Sequence, residues 1–261
     1  MIKKKKIQDF LSRAEQLNIL PNFFLSEKYL EFNQVKCLES DNQIWIEDEE
    51  WMLFPPLSCD NREIQKIVCE KNIWSTFGNS KFSNYRCEFL DYNYIFNPSR
   101  FDCLKGNNWE IYRKNIKKWP RRNENWKYDW NCKDDKEVNL LVGNWMEKKI
   151  NELEDFNILI NFIFDKKIER KYLYNNNNQL VAINAWDENH IYVNYRICII
   201  KKEQSFLSEF VRHLFYTDFF IRSKNKLIND GGSLGYDGLE RFKNKMNPLQ
   251  KRKIYSLIKL K

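Results

Sequence analysis

Apolar residues recur along this chain with two periods, one helical and one extended, and their succession lays out the elements. Ile7, Phe10, Leu11, Ala14 and Leu17 share one stripe of a helix over 7–17. Ile44, Ile46 and then 51–54 read as short strands around an acidic turn, with Pro55-Pro56 closing the second. Residues 62–72 carry a helical pattern through Ile64, Ile67, Val68 and Lys71, and 86–96 is aromatic and extended. Trp109, Tyr112, Ile116 and Trp119 make a helical stripe that Pro120 is expected to stop, since proline lacks the amide a helix interior needs. Residues 120–136 are polar and aperiodic and read as a connection.

The second half is cleaner. Val138, Leu141, Trp145 and Ile150 track one side of a helix over 137–153. A strand ending near Tyr174 meets a strand over 180–186 across four asparagines, which tolerate left-handed backbone. After a turn at 187–189, residues 190–200 alternate. Ile191, Val193, Tyr195, Ile197 and Ile199 face one way, and His190, Tyr192, Asn194, Arg196 and Cys198 the other. One side is expected in the core; the other is either a site lining or plain solvent-exposed surface. A helix over 205–222, a short strand, a helix over 236–247 and a strand over 253–260 follow. Helix, three-stranded meander, helix, strand, helix, strand is the order of the GNAT acyltransferase fold, and the first half resembles a weaker copy. The expected architecture is α+β (α/β): a tandem GNAT-like fold with mixed central sheets flanked by helices, its halves at 1–125 and 126–261.

Composition narrows the chemistry. A net charge of +8 favours an anionic partner: nucleic acid, an anionic surface or a phosphate-bearing cofactor. Seven scattered cysteines with no Cys-x-x-Cys argue against a disulfide framework or a zinc site, and two histidines make a His-rich metal centre improbable. The lysines after Met1 lack a following apolar region, and no stretch approaches a membrane span. A cytoplasmic location without a transmembrane segment is expected.

Four of the seven glycines (231, 232, 235 and 238) cluster between a strand and a helix. Their spacing fits neither a P-loop nor a dinucleotide fingerprint; a strand-to-helix connection and a substrate-approach loop are both open. The helix over 109–119 sets Arg113, Lys114, Lys117 and Lys118 opposite its stripe, followed by Arg121, Arg122, Trp126 and Trp130. Cations alternating with flat rings suit a phosphate backbone with unstacked bases, and equally describe a solvated helix face with tryptophans in the core.

Two segments resemble a known family. Residues 229–248 (Asn-Asp-Gly-Gly-Ser-Leu-Gly-Tyr-Asp-Gly-Leu-Glu-Arg-Phe-Lys-Asn-Lys-Met-Asn-Pro) look like the C-terminal signature of the phosphatidylglycerol lysyltransferase-type domain. Residues 101–119 are similar to its central segment, a Leu-x-Gly followed by a basic helix ending on an aromatic. With the element order, the resemblance covers most of residues 25–261. It implies transfer of an aminoacyl group from aminoacyl-tRNA, as co-substrate, to a small-molecule, lipid head-group or nucleic-acid acceptor, with no other cofactor. Acetyl-CoA or another acyl-CoA is disfavoured as donor. The pyrophosphate loop of acetyl-CoA enzymes is glycine-rich, and 200–206 here has no glycine.

An aminoacyl ester is already activated, so such an enzyme orients the acceptor and stabilises an oxyanion. No Ser-His-Asp order, Gly-x-Ser-x-Gly or Cys–His pair points to a covalent nucleophile. Asp230 is the candidate base or amine anchor, and Lys243 and Lys245 the candidate oxyanion or tRNA-terminus contacts. Asn229, Gly231, Gly232, Gly238, His190, Tyr192 and Arg196 are candidate substrate-binding residues, and Asp230→Asn and Lys243→Ala are expected to spare folding. The alternatives are a non-catalytic nucleic-acid-binding protein on a GNAT-like shell, or an acyltransferase that modifies nucleic acid.

Overall fold

The structure is a computed structural model. It describes all residues except 1, 17–22, 24, 41, 59–70, 76–83, 148–155, 190–191, 202–203, 224–225 and 261, and gives only the backbone for 2–4, 74–75 and 156–157. Helices α1 (Ile2–Gln16) and α2 (Glu27–Phe32) precede strands β1 (Lys36–Ser40), β2 (Gln43–Glu47), β3 (Trp51–Met52), β4 (Leu57–Ser58), β5 (Asn72–Ser75) and β6 (Tyr85–Phe96). Helices α3 (Ser99–Cys103), α4 (Glu110–Ile116) and α5 (Lys118–Arg122) lead to β7 (Lys127–Asp129), α6 (Asp135–Glu147) and α7 (Phe156–Phe164). The meander β8 (Glu169–Tyr174), β9 (Leu180–Glu188) and β10 (Tyr192–Ile200) follows, then α8 (Leu207–Arg222), β11 (Leu227–Asn229), α9 (Asp237–Lys245) and β12 (Gln250–Lys259).

Two compact units are interleaved in sequence: 1–94 with 231–237 and 250–261, and 95–230 with 238–249. They partition the chain differently from halves at 1–125 and 126–261. In the first, strands run β1-β2-β3-β5-β12-β6, with β4 on β2, and the β3–β5 pair is parallel. Ile7, Phe10 and Ala14 are buried, as the stripe of α1 requires. Ser26 caps α2 by accepting the Tyr29 amide at 3.2 Å.

In the second unit, residues 95–96 of β6 lead the order β11-β10-β9-β8-β7. The β8–β9 turn is locally encoded: Asn175 Oδ1 accepts the amides of Asn177 at 3.0 Å and Gln179 at 2.9 Å, and Asn178 takes a left-handed φ of 56°. The expected antiparallel hairpin of β9 and β10 is present. Helix α8 lays Phe215 and Tyr216 against Tyr195 and Trp186 on one side of it. Helices α6 and α7 pack on β9 and β10, with Phe162 of α7 over Arg196.

Four local expectations change. The helix over 109–119 breaks at Lys117, and Pro120 sits inside α5 rather than stopping a helix, because a first-turn amide has no intrahelical partner to lose. The connection 120–136 contains β7, whose pairing with β8 no local periodicity announces. Among the described residues of β10 neither face is exposed: Tyr192, Asn194 and Arg196 are buried like Val193 and Ile199, and Cys198 is half-buried. Its alternation also slips at a β-bulge, since Tyr195 pairs with Trp186 but Ile197 with Ala185. Of the helix expected over 62–72, residues 62–70 lie outside the described residues, while Lys71 sits in a bend and Asn72 opens β5.

Candidate active site

Strands β10 and β11 run parallel through three residue pairs, Tyr192–Asn194 against Leu227–Asn229. Beyond them β11 gives out while β10 continues to Ile200, paired only with β9 among the described residues. This leaves one edge of β10 open where its bulge lies. Asp230 is the first residue after β11, at the mouth of that opening.

Helix α8 supplies the partners. Glu209, Arg212 and Tyr216 follow one another at helical spacing and interrupt its apolar stripe. Asp230 Oδ2 accepts from Tyr216 Oη at 2.7 Å and Arg212 Nε at 3.1 Å. Helix α9 brings Lys243, whose Nζ pairs with Asp230 Oδ1 at 3.3 Å and donates to the Asp230 carbonyl. Asp230 is 4% exposed and Lys243 2%. The Arg212 guanidinium lies 5.4 Å from the Tyr195 ring and 5.0 Å from that of Phe242. Next door, Glu209 Oε1 accepts from Asn115 at 3.2 Å and faces Lys245 Nζ at 3.8 Å.

Burial alone would raise the Asp230 carboxyl, but Lys243, Arg212 and the Tyr216 hydroxyl outweigh it and hold the group below its ordinary value. Burial would likewise lower Arg212, yet Asp230 drives it well above its ordinary value. Tyr216 is pushed well up, by burial first and then by Asp230. At neutral pH the cluster is therefore one carboxylate against two cations. A carboxylate held below its ordinary value, with both oxygens engaged, is a weak proton acceptor and a strong anchor.

The other predicted residues are dispersed. Asn229 is buried and aligned with Asn194 of β10. Gly231 takes φ +61°, and a Cβ there would meet the Phe23 ring at 3.1 Å. A Cβ on Gly232 would lie 2.2 Å from Asp91 Oδ2, so that position demands glycine. Gly238, the second residue of α9, has open space around it. Arg196 makes a two-armed buried ion pair with Asp187 at 2.9 and 3.1 Å and does not join Asp230. The Tyr192 amide donates to Asn189 Oδ1 at 2.6 Å. His190 lies outside the described residues. Sequence reasoning missed Arg212, Tyr216 and Glu209; the polar interruption of an otherwise apolar helix was the signal available.

The basic segment divides. Trp109, Tyr112 and Trp119 are core residues, so they cannot stack on bases. Arg113 donates to the carbonyls of Leu104 and Gly106, and Lys114 pairs with Glu110 at 2.7 Å. Lys118 sits 4.0 Å over the Phe206 ring. Lys117, Arg121 and Arg122 are exposed. Among the described residues there is no group of three or more acidic, histidine or cysteine side chains that could hold a metal, and no helix is long and apolar enough to cross a membrane.

No protein-family model matches this chain, and no curated protein does. Solved structures do. A conserved protein of unknown function from Bacteroides thetaiotaomicron aligns over 96% of this chain and 97% of its own, at 15% identity and a TM-score of 0.74. The C-terminal domain of an Agrobacterium fabrum protein assigned as a lysylphosphatidylglycerol synthetase aligns over 97% and 92%, at 9% identity and a TM-score of 0.64. L-PGS from Bacillus licheniformis aligns over 96% and 91%, at 12% identity and a TM-score of 0.63. The chain shares their fold. At these identities the likeness speaks to architecture, a mixed sheet flanked by helices with GNAT-like order, and that part of the expectation holds.

Proposed function

We propose that this chain is an aminoacyl- or acyltransferase that takes its group from aminoacyl-tRNA and passes it to an acceptor nucleophile. The observation that carries the reading is the buried carboxylate of Asp230 held between two cations, buried Lys243 and part-buried Arg212, where β11 ends and β10 runs on beside β9. When an acceptor heteroatom attacks the ester carbon, the carbonyl oxygen becomes an oxyanion. The ester bond to the tRNA 3′ oxygen then breaks, and the acceptor's proton leaves with that oxygen. Fixed cations in a water-poor site stabilise that oxyanion without reorganising. Asp230 serves by holding the two cations in place, Arg212 reaches toward the open edge, and the more exposed Lys245 meets phosphate at the donor terminus. Residues 1–125 and 126–261 are taken as the two GNAT-like halves.

Two features of the site resemblance support the tRNA donor: the signature at 229–248 and the fold shared with a protein assigned as a lysylphosphatidylglycerol synthetase. Exposed Lys117, Arg121 and Arg122 offer phosphate contacts. A binding-only role is less well supported, because three of the rings that would stack on bases, Trp109, Tyr112 and Trp119, lie in the core and Trp130 remains exposed.

The test is single-turnover transfer from a mixed pool of radiolabelled aminoacyl-tRNA to small-molecule, lipid and RNA acceptors. Arg212→Gln and Lys245→Ala are assayed beside the wild type, with melting temperatures. Loss of an oxyanion contact costs about 100- to 1000-fold in rate, and Arg212→Gln is expected to fall in that range. Wild-type rates in a folded Arg212→Gln variant move the site elsewhere. Transfer from a thioester but from no charged tRNA replaces the donor.

A further inference from the structure

The two carboxylates of the site are used unequally. Both oxygens of Asp230 are taken, by Lys243, Arg212 and Tyr216, and its side chain is 3% exposed. Glu209, one turn before Arg212 on α8, keeps 12% of its side chain exposed and engages a single oxygen. Its Oε1 accepts from Asn115 Nδ2 at 3.2 Å and faces Lys245 Nζ at 3.8 Å, near the outer limit of an ion pair. Oε2 accepts no hydrogen bond among the described residues. The carboxylate is nonetheless held in place. Asn115 is buried and tied at its other end, where Oδ1 accepts from Lys118 Nζ at 3.1 Å. The Tyr112 hydroxyl donates to the Glu209 carbonyl at 3.2 Å. A largely buried carboxylate with an oxygen open favours a cation that brings N–H donors.

We propose, on the aminoacyl-tRNA reading of this site, that Glu209 receives the α-ammonium of the donor, so that the site takes aminoacyl esters and rejects N-acylated or amine-free ones. Side chains three apart on a helix have Cβ atoms about 5–6 Å apart, so Glu209 and Arg212 flank one small group. In an aminoacyl ester the amine stands two bonds from the carbonyl carbon. A donor whose carbonyl oxygen meets Arg212 therefore sets its ammonium beside Glu209, with opposite charges matched at both ends. Lys245 fits the same arrangement. When it turns to phosphate at the donor terminus, Glu209 loses its partial counter-charge and the ammonium replaces it. An acyl group without an amine would leave that carboxylate buried and unpaired. Asp230 cannot take this role, because a further cation would have to displace Lys243 or Arg212.

The experiment is equilibrium filter binding of end-labelled tRNA in three forms: a mixed aminoacyl-tRNA pool, the same pool N-acetylated, and uncharged tRNA. A hydrogen bond to a charged group sets the expected preference for the free amine at roughly 10- to 100-fold. Glu209→Gln should weaken binding of the aminoacyl pool by that factor and leave the other two forms unchanged. A merely structural role for Glu209 would weaken all three alike. Asn115→Ala, which frees Glu209 from its tether without removing the charge, should narrow the preference in part. Melting temperatures accompany both variants, and Asn115→Ala decides the matter if Glu209→Gln fails to fold. Equal binding of the free-amine and acetylated pools, or a preference that survives in folded Glu209→Gln, overturns the proposal and leaves the tRNA donor standing. Binding of no form of tRNA overturns the donor and this proposal together.

Discussion

In residues 109–122 the aromatic rings turn inward while Lys117, Arg121 and Arg122 stay in water, whereas in 229–245 one cation, Lys243, turns inward onto an anion and Arg241 and Lys245 stay exposed. Trp109 and Trp119 fill the core while Lys117, Arg121 and Arg122 remain hydrated. Lys243 is as buried as Trp119 and is held by Asp230. Both stretches carry lysines and aromatic rings at helical spacing. What separates them is desolvation: a hydrated charge is screened and interchangeable, while a buried one costs several kcal/mol unless its partner is in place. A lysine in a basic run thus says little until its environment is known.

The strongest way to break this contrast is Asp230→Asn. Removing the anion strands two cations, and a loss of about 3–5 kcal/mol is expected, visible as a melting-temperature drop on the order of 10 °C. This revises the expectation that Asp230→Asn and Lys243→Ala spare folding. An unchanged melting temperature would mean that the cluster is solvated after all.

His213, beside Arg212 on α8, lies between the two extremes. Burial lowers its pKa to about 4, against a smaller opposing pull from Asp102, and its Nδ1 has no hydrogen-bond partner. The folded chain then refuses a proton that the unfolded chain accepts below about pH 6.5. Stability should fall by about 2–3 kcal/mol as pH drops from 6.5 to 4, and His213→Leu should flatten that leg of a pH–denaturation series. Asp230 works lower on the scale. With its folded value depressed, its contribution is complete above the unfolded value of about 3.9 and is lost as pH falls below that. A transition in His213→Leu that still falls across pH 6.5 to 4 would assign that leg to other groups.

The smallest effect on stability belongs to Lys117→Glu with Arg121→Glu and Arg122→Glu. Each exposed change should stay within about 0.5 kcal/mol. If these residues contact tRNA phosphates, the slope of log K against log salt should shrink by about one per lost contact. An unchanged slope in the folded triple variant makes them a solvated face and deepens the contrast with 229–245.

Local periodicity carried much of the fold. The stripe of α1, the meander β8–β9–β10, the asparagine turn and the strand–glycine–helix run were legible because each is encoded by residues a few positions apart. The same holds for the charge pair at the site, since Asp230 and Lys243 stand within one strand–turn–helix segment. Arg212 and Tyr216 were not legible as its partners, because only the packing of α8 beside the end of β11 aims them at Asp230. Nor was Asp91, which reaches Leu234 across 143 residues of sequence. Alternation in β10 announced a strand but not that helices cover both its faces, and the bulge at Arg196 shifted its register unannounced. Sequence by itself determined what each segment could become, since that depends on neighbours along the chain. The tertiary structure alone decided which charges lose their water and which partners they meet, because burial is set by segments far apart in sequence.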